Sequence, residues 1–170
     1  MEQFDIDEID LRLLEQLQTD ASLSNLELAR RVHTSPPTCL RRVKRLHAAG
    51  LIEGQVALLS PDKLAVVLGH GLTAIVEITL DRQGAEWLQA FEQKVAADRS
   101  VQQCYQVSPG PDFVLVVHSR DMPDYLALVQ RLFTGEANVR NVKAFFSVKR
   151  SKFGAQLPIA KVPRQAAAAR

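Results

Sequence analysis

The chain has 170 residues, of which 46% are hydrophobic and 24% are charged, and its formal net charge at neutral pH is +2. This composition suits a globular protein with one large or two small domains, and the net charge is too mild to indicate a partner by itself. No apolar run reaches the roughly 20 residues of a membrane-spanning helix, and the acidic N-terminus is unlike a secretory signal, so we expect a cytoplasmic protein with no membrane partner.

The cysteines and histidines form no catalytic or metal-binding pattern. Cys39 and Cys104 are far apart in the sequence, without a CxxC motif or a histidine at metal-ligand spacing. None of the four histidines has a serine, cysteine or carboxylate at a telling offset. We therefore expect no disulfide, no metal, no cofactor and no enzymatic activity.

The first part of the chain has the hydrophobic period of helices. The apolar positions of the first helix are Ile9, Leu13, Leu14 and Leu17. Carboxylates crowd its first turns, where the helix dipole favours negative charge, and the pattern ends near Thr19. Ser24 and Glu27 then form the capping-box pattern of a short second helix.

The stretch SPPTCLRRVKRLHAAG, residues 35–50, predicts a third helix with sharp ends. Thr34 or Ser35 can provide the N-cap. Two prolines fit the first turn, where no backbone donor is needed, and Gly50 ends the helix.

One face of the third helix is basic. At about 100° per residue, one side gathers Thr38, Arg41, Arg42 and Arg45, with Lys44 beside them. No acidic residue of the same helix stands at i±4 to pair with these cations, so we expect a partner outside the chain to offset their charge. Nucleic-acid phosphate fits that role, and a merely solvated basic face is the alternative.

After this helix, LIEGQVALLS alternates around a glycine and predicts a two-stranded wing over residues 51–60. Residues 1–60 are then a winged helix-turn-helix, whose third helix enters the major groove of double-stranded DNA. The predicted base-reading residues are Ser35, Thr38 and Arg41. The predicted phosphate contacts are Arg42, Lys44 and Arg45, and Pro37 is assigned to the same interface.

The hydrophobic period changes after this first domain. Residues 61–71 contain a proline and two glycines and are interpreted as a linker. Alternating, β-rich runs and two helical patterns follow in the order βαββαβ. This order is the split-βαβ pattern of a ferredoxin-like domain, predicted over residues 72–157. The fold class is therefore predicted to be α+β.

One face of the predicted sheet has no helix of its own to cover it. That face carries apolar residues, and a second copy of the chain is the natural way to bury them. We expect a homodimer at least.

Two stretches together carry a resemblance to a known family: DEIDLRLLEQLQTDASLSNLELARRV and SPPTCLRRVKRLHAAGLIEGQVALLSP. The second contains the signature Ser-Pro-x-x-Cys-x-x-Arg, and a D-F-V-L strand and KFGAQLPI follow. The chain thus resembles the Lrp/AsnC, or feast/famine, transcription regulators over nearly its whole length. The resemblance implies a DNA-binding domain, a dimerising RAM or ACT-like domain, assembly into dimers and often tetramers or octamers, and an amino-acid effector bound between subunits.

The effector stretch of the family, Gly-x-x-Asp-Tyr, corresponds here to Pro-Gly-Pro-Asp-Phe, residues 109–113. By this resemblance the effector-binding residues are Ser108, Gly110, Asp112 and Phe113. Pro109 replaces the glycine and removes a backbone donor, and Ala144 stands where the family often has a hydroxyl. A ligand carboxylate that loses donors binds less well, so the turn fits a plain rigid hairpin equally well.

Residues 158–170 are basic at Lys161, Arg164 and Arg170 and are expected to form a disordered tail.

The alternative functions are a tetrapyrrole (sirohaem) decarboxylase-like enzyme and a free-standing ligand-binding module, since both resemble this architecture. VQQCYQVSPGPDF has no histidine or arginine cluster for the carboxylates of a tetrapyrrole. A decarboxylase also has little use for a basic third helix, so a regulator is the preferred interpretation.

Overall fold

The computed structural model describes residues 5–69, 71–135 and 138–159. It divides into two compact units, and the chain passes from one to the other twice. Among the described residues, the first unit combines the chain up to Ala57 with residues 152–159, and the second unit spans Leu58–Ser151. Residues 152–157, which were predicted to belong to the second domain, therefore group with the first unit.

The described part of the first unit contains three helices, each capped by a side chain: α1 (Glu8–Thr19), α2 (Asn25–Arg31) and α3 (Pro36–Ala48). Asp7, Ser24 and Ser35 accept hydrogen bonds from amides in the first turns of these helices. The helices enclose a small apolar core of Leu13, Leu28, Ala29, Val32, Cys39 and Leu46. The predicted helix-turn-helix is confirmed.

The predicted wing is wrong, because residues 51–60 contain no strand. Ile52 packs against the core of the first unit, but Val56, Leu58 and Leu59 are mostly exposed. A two-stranded ribbon is stable only when it packs an apolar face against something, and this segment offers its apolar side chains to solvent.

The segment predicted as a linker forms a helix, α4 (Pro61–Leu68). Ser60 caps it by accepting from the amide of Lys63 at 3.4 Å, and Pro61 suits the first turn because no donor is needed there. Gly69 ends the helix at a φ of +87°, a value that glycine adopts readily. The proline and glycine are therefore the start and stop signals of a short helix.

The second unit is the predicted βαββαβ domain. Its strands are β1 (Leu72–Leu80), β2 (Val101–Gln106), β3 (Phe113–Ser119) and β4 (Val139–Phe146). They pair antiparallel in the spatial order β2-β3-β1-β4. The helices are α5 (Ala85–Ala96) and α6 (Met122–Val129), and a π-helical turn, Gln130–Thr134, continues α6. The ferredoxin-like fold class is confirmed.

The core of the second unit lies between the two helices and one face of the sheet. Alternate residues of β1 and β3 point into it, and Phe113 packs on Phe91 of α5 with ring centroids 5.0 Å apart. The fully buried apolar residues of these two strands are Ala74, Val76, Ile78, Leu80, Phe113, Leu115 and Val117.

The opposite face of the sheet carries a row of side chains that crosses all four strands. In this row Ile75 of β1 lies between Val116 of β3 and Phe145 of β4. Ile75 and Phe145 are each 44% exposed, although apolar residues of a sheet are ordinarily covered. The prediction of an apolar, uncovered sheet face thus agrees with the strand register.

The C-terminal segment of the first unit is held by one side chain of α1. The side-chain Nε2 of Gln18 donates to the carbonyl of Leu157 at 2.9 Å, and its Oε1 accepts from the backbone amide of Leu157 at 2.9 Å. Gln18 thus pairs with the backbone of this segment as a neighbouring peptide group would. Of the predicted tail, Pro158 and Ile159 belong to this segment, and residues 160–170 lie outside the described residues.

Candidate nucleic-acid interface

The turn between α2 and α3 sets the direction in which α3 leaves the first unit. His33 adopts a φ of +56°, and the amide of Thr34 donates to the carbonyl of Ala29 at 2.9 Å, which closes the end of α2. The side-chain amide of Asn25 donates to the carbonyl of Pro36 at 2.9 Å and ties the start of α2 to the start of α3. The break between α2 and α3 at this point was predicted, but the positive φ of His33 was not, because glycine is its usual signal and histidine stands here instead.

Two hydroxyls organise the N-terminal end of α3. Ser35 accepts from the amide of Thr38 at 3.4 Å, and its hydroxyl donates to the Thr38 hydroxyl at 2.8 Å. The first two helical residues are prolines and have no amide to offer. Ser35 and Pro37 are exposed and Thr38 is half-buried, so this end of the helix presents short polar groups beside a rigid backbone.

Arg42 and Arg45 lie against carboxylates of α1. Nη1 of Arg42 is 2.7 Å from Asp7 Oδ2 and 2.9 Å from Asp10 Oδ1, and Arg45 donates to Asp10 Oδ2. Asp10 is fully buried, and the Arg42 side chain is only 18% exposed. The expectation that only a partner outside the chain offsets the charge of α3 is therefore wrong. Pairing at i±4 within one helix could not indicate these carboxylates, since Asp10 and Arg42 are 32 residues apart.

These ion pairs shift two ionisation equilibria. Burial of Asp7 acts to raise its pKa, but hydrogen bonds from the Asp10 amide and from Arg42 outweigh it and hold the pKa of Asp7 below its ordinary 3.8. The hydrogen bonds that Arg42 donates to Asp10 and to Asp7 raise the pKa of Arg42. The Asp7 carboxylate thus stabilises the first unit at neutral pH, and this contribution is lost as the pH falls through its lowered pKa.

Arg41 and Lys44 are the basic residues of α3 without such partners. Both are exposed, and no ion pair joins either of them to any residue that the structure describes. The structure thus divides the predicted basic face in two. Arg41 and Lys44 offer their charges to solvent, and Arg42 and Arg45 are already engaged within the chain.

The residues of the predicted effector turn also differ in their exposure to solvent. Ser108 and Gly110 are exposed, and Gly110 has a φ of +131°. The carboxylate of Asp112 accepts from the amide of Leu80 at 2.7 Å and so ties the turn to the end of β1. Phe113 is fully buried in the core, so its ring faces away from solvent and the expectation that this ring meets a ligand is not supported.

Comparison with known protein families decides what kind of protein carries this helix. The model of the AsnC-type helix-turn-helix domain matches residues 6–47. The model of the Lrp/AsnC ligand binding domain matches residues 73–157. The chain belongs to the Lrp/AsnC family of transcriptional regulators.

Individual relatives are similar in sequence to this Lrp/AsnC regulator over most of their length. An uncharacterized HTH-type transcriptional regulator of Haemophilus influenzae is 35% identical over 147 residues, 86% of this chain and 85% of the relative. The leucine-responsive regulatory protein of Escherichia coli is 34% identical over 155 residues, 91% and 92% of the two chains. The solved structure of a Neisseria meningitidis transcriptional regulator in complex with L-Met matches with a TM-score of 0.78 and 30% identity, over 91% of this chain and 97% of that chain.

The Lrp/AsnC assignment gives no support to the decarboxylase alternative, because the relatives are transcriptional regulators. Within the described ranges, no group of three or more histidine, cysteine or acidic side chains is placed to hold a metal. Burial raises the pKa of the Cys39 thiol, which belongs to the apolar core. Every helix described is too short or too polar to cross a membrane.

Proposed function

We propose that this Lrp/AsnC regulator binds double-stranded DNA in a sequence-specific manner through α3. The observation that carries the proposal is the pair of cations Arg41 and Lys44 beside the polar N-terminal end of α3, which are exposed and form no ion pair with the described residues. In a helix-turn-helix the N-terminal residues of the recognition helix meet base edges, and the flanking cations meet phosphates. Ser35, Thr38 and Arg41 would then read bases, Lys44 would bind phosphate, and Pro37 would border the contact.

Titrations with two fluorescent duplexes test this proposal. The first duplex is selected from a random pool by the wild-type chain, and the second is a scrambled version of it. Lys44→Ala should weaken both equally and flatten the dependence of log K on log salt by about 0.9, since one phosphate contact is lost. Arg41→Ala should cost about 1–3 kcal/mol on the selected duplex and less on the scrambled one.

The matched control for these variants is Arg120→Ala. It removes the same charge from a side chain of the second unit that is 83% exposed, and it should leave both affinities unchanged. Equal losses on the two duplexes for Arg41→Ala would contradict its role as a base reader. A wild-type chain that binds no duplex at low salt would contradict the proposed function.

We further propose that the active regulator is a homodimer, or a tetramer or octamer built from dimers, that pairs through the open sheet face. The row through Ile75, Val116 and Phe145 is the support, because a second copy laid on this face buries it. Sedimentation of Ile75→Asp at micromolar concentration should show a shift toward monomer. An unchanged oligomer would place the interface elsewhere.

The second unit is proposed to bind an amino acid or a related metabolite between subunits. The support is the match to a ligand-binding domain model and the relative whose structure holds L-Met. The exposed turn at Ser108 and Gly110, with Asp112 holding it to β1, is the proposed site. A thermal-shift screen with the twenty amino acids tests this, since a ligand that prefers the native state raises the unfolding midpoint. No shift with any of them would remove the amino-acid proposal.

A further inference from the structure

The capping box at the start of α1 also reaches across to α3. Oδ1 of Asp7 accepts from the amides of Ile9 and Asp10 at 3.0 Å each, as an N-cap does. Its other oxygen, Oδ2, lies 2.7 Å from Nη1 of Arg42. One carboxylate thus closes its own helix with one oxygen and binds a cation of the proposed recognition helix with the other.

Asp10 binds the same arginine, Arg42, and also Arg45. Its carboxylate accepts from the amide of Asp7 at 3.2 Å, from Arg42 at 2.9 Å, and from Arg45. Because the Asp10 side chain has no exposed surface, solvent cannot compete for its partners. The Asp7 side chain differs, since 49% of its surface is exposed. The cluster therefore has a buried anchor, Asp10, and an outer member, Asp7.

The chemistry of the outer contact is the chemistry of phosphate binding. A guanidinium binds a carboxylate and a phosphate by the same charge-assisted hydrogen bonds, and arginine suits both anions. The Nε donor of Arg42 is buried and has no acceptor among the described residues, so Asp7 and Asp10 do not use all of its hydrogen-bonding capacity. Because Asp7 already binds Arg42, a phosphate that approaches this arginine must compete with the Asp7 carboxylate.

We propose that Asp7 is an internal competitor for the DNA phosphates and limits how many phosphates α3 can bind. Asp10 keeps Arg42 and Arg45 in place, and Asp7 neutralises Arg42 at the surface. Duplex binding then leaves Arg42 on Asp7 unless a phosphate displaces the carboxylate. This inference rests on the proposed function, because it requires that α3 bind DNA.

The experiment uses Asp7→Asn in the full chain. Asparagine caps a helix as well as aspartate does, so α1 keeps its N-cap while Arg42 loses one negative partner. The matched control is Glu8→Gln. It removes the same charge from the next residue and also releases an arginine, Arg12, whose Nη2 lies 2.6 Å from Glu8, but this arginine belongs to α1. A third variant combines Asp7→Asn with Arg42→Ala.

We expect Asp7→Asn to bind the scrambled duplex more tightly than the wild type at low salt, with a salt dependence steeper by about 0.9 in log K against log salt. The affinity lost between about 50 mM and about 200 mM salt should thus grow by about threefold. Glu8→Gln should change this slope less. Adding Arg42→Ala to Asp7→Asn should abolish the gain, because the released cation is then absent.

Equal slopes for Asp7→Asn and Glu8→Gln would overturn the inference, because the effect would then be one of net charge alone. Weaker binding by Asp7→Asn would also overturn it, since Asp7 would then help Arg42 to bind DNA. In both cases the proposed function stands if the wild-type chain binds duplex and Lys44→Ala weakens that binding. A wild-type chain that binds no duplex at all would overturn both proposals. Circular dichroism confirms that each variant remains folded.

Discussion

The interiors of the two units contain different kinds of buried residues. In the first unit a fully buried carboxylate, Asp10, joins α1 to Arg42 and Arg45 of α3 beside a small apolar core. In the second unit the buried residues that the structure describes carry no formal charge, and a sheet and two helices enclose a larger apolar core. A short three-helix unit buries little apolar surface, and loss of one partner of its buried ion pairs would leave a charge uncompensated.

The two units also differ in how their charges relate to the functions proposed for them. The first unit places its cations on α3, where Arg42 and Arg45 are held in internal ion pairs and the exposed Arg41 and Lys44 are the ones proposed to meet DNA. The second unit keeps charge out of its core, so its exposed turn and sheet face can vary without disturbing the packing beneath them. The regulator thus combines an electrostatic module with a hydrophobic one.

The largest expected effect is in the hydrophobic module. Phe113→Ala should lower the free energy of unfolding of the second unit by about 4 kcal/mol, because a fully buried ring that packs on Phe91 is replaced by a cavity. Fluorescence of Trp87, the single tryptophan and a residue of the second unit, measures this unfolding in denaturant. A loss below about 1 kcal/mol would show that the core of this unit collapses around the gap.

The next effect is expected in the electrostatic module. Asp10→Asn should destabilise the first unit by about 3 kcal/mol, since it leaves the half-buried Arg42 and the more exposed Arg45 without their shared anion. Amide exchange should quicken in α1 and α3 and stay unchanged in β1 and β3. The control is Glu15→Gln, which removes an exposed charge from the same helix and should leave exchange as it is. Equal protection of α1 in both variants would mean that the apolar core alone holds the unit.

The smallest effect is a gain. His33→Gly should stabilise the first unit by about 0.5 kcal/mol, because the positive φ of His33 costs a side-chain residue more than it costs glycine, while glycine loses more entropy on folding. The thermal midpoint measured by circular dichroism at 222 nm reports this gain. His47→Gly, inside α3, is the opposite control and should be destabilising. A loss of stability in His33→Gly would show that the imidazole makes a contact worth more than the backbone strain.

Most of the fold could be predicted from local pattern. The caps at Ser24 and Ser35 and the alternation of β1 and β3 each depend on residues a few positions apart, so a single sequence displays them. Local pattern could not decide whether residues 51–60 form a wing, because alternation shows only that a segment can pair and not what it pairs with. The helix α4 was missed because its one proline and the two glycines that follow it were interpreted as loop signals.

The candidate site was predicted in composition but not in arrangement. All of its basic residues lie on α3 as expected, and the sequence by itself determined that this helix is basic, sharply capped and joined to a βαββαβ domain. Only the tertiary structure decided which cations are available, since Asp7 and Asp10 reach Arg42 and Arg45 across more than thirty residues of chain. It also decided that Phe113 belongs to the core. The physical reason is that capping and periodicity are local, whereas charge pairing and burial depend on which segments meet in space.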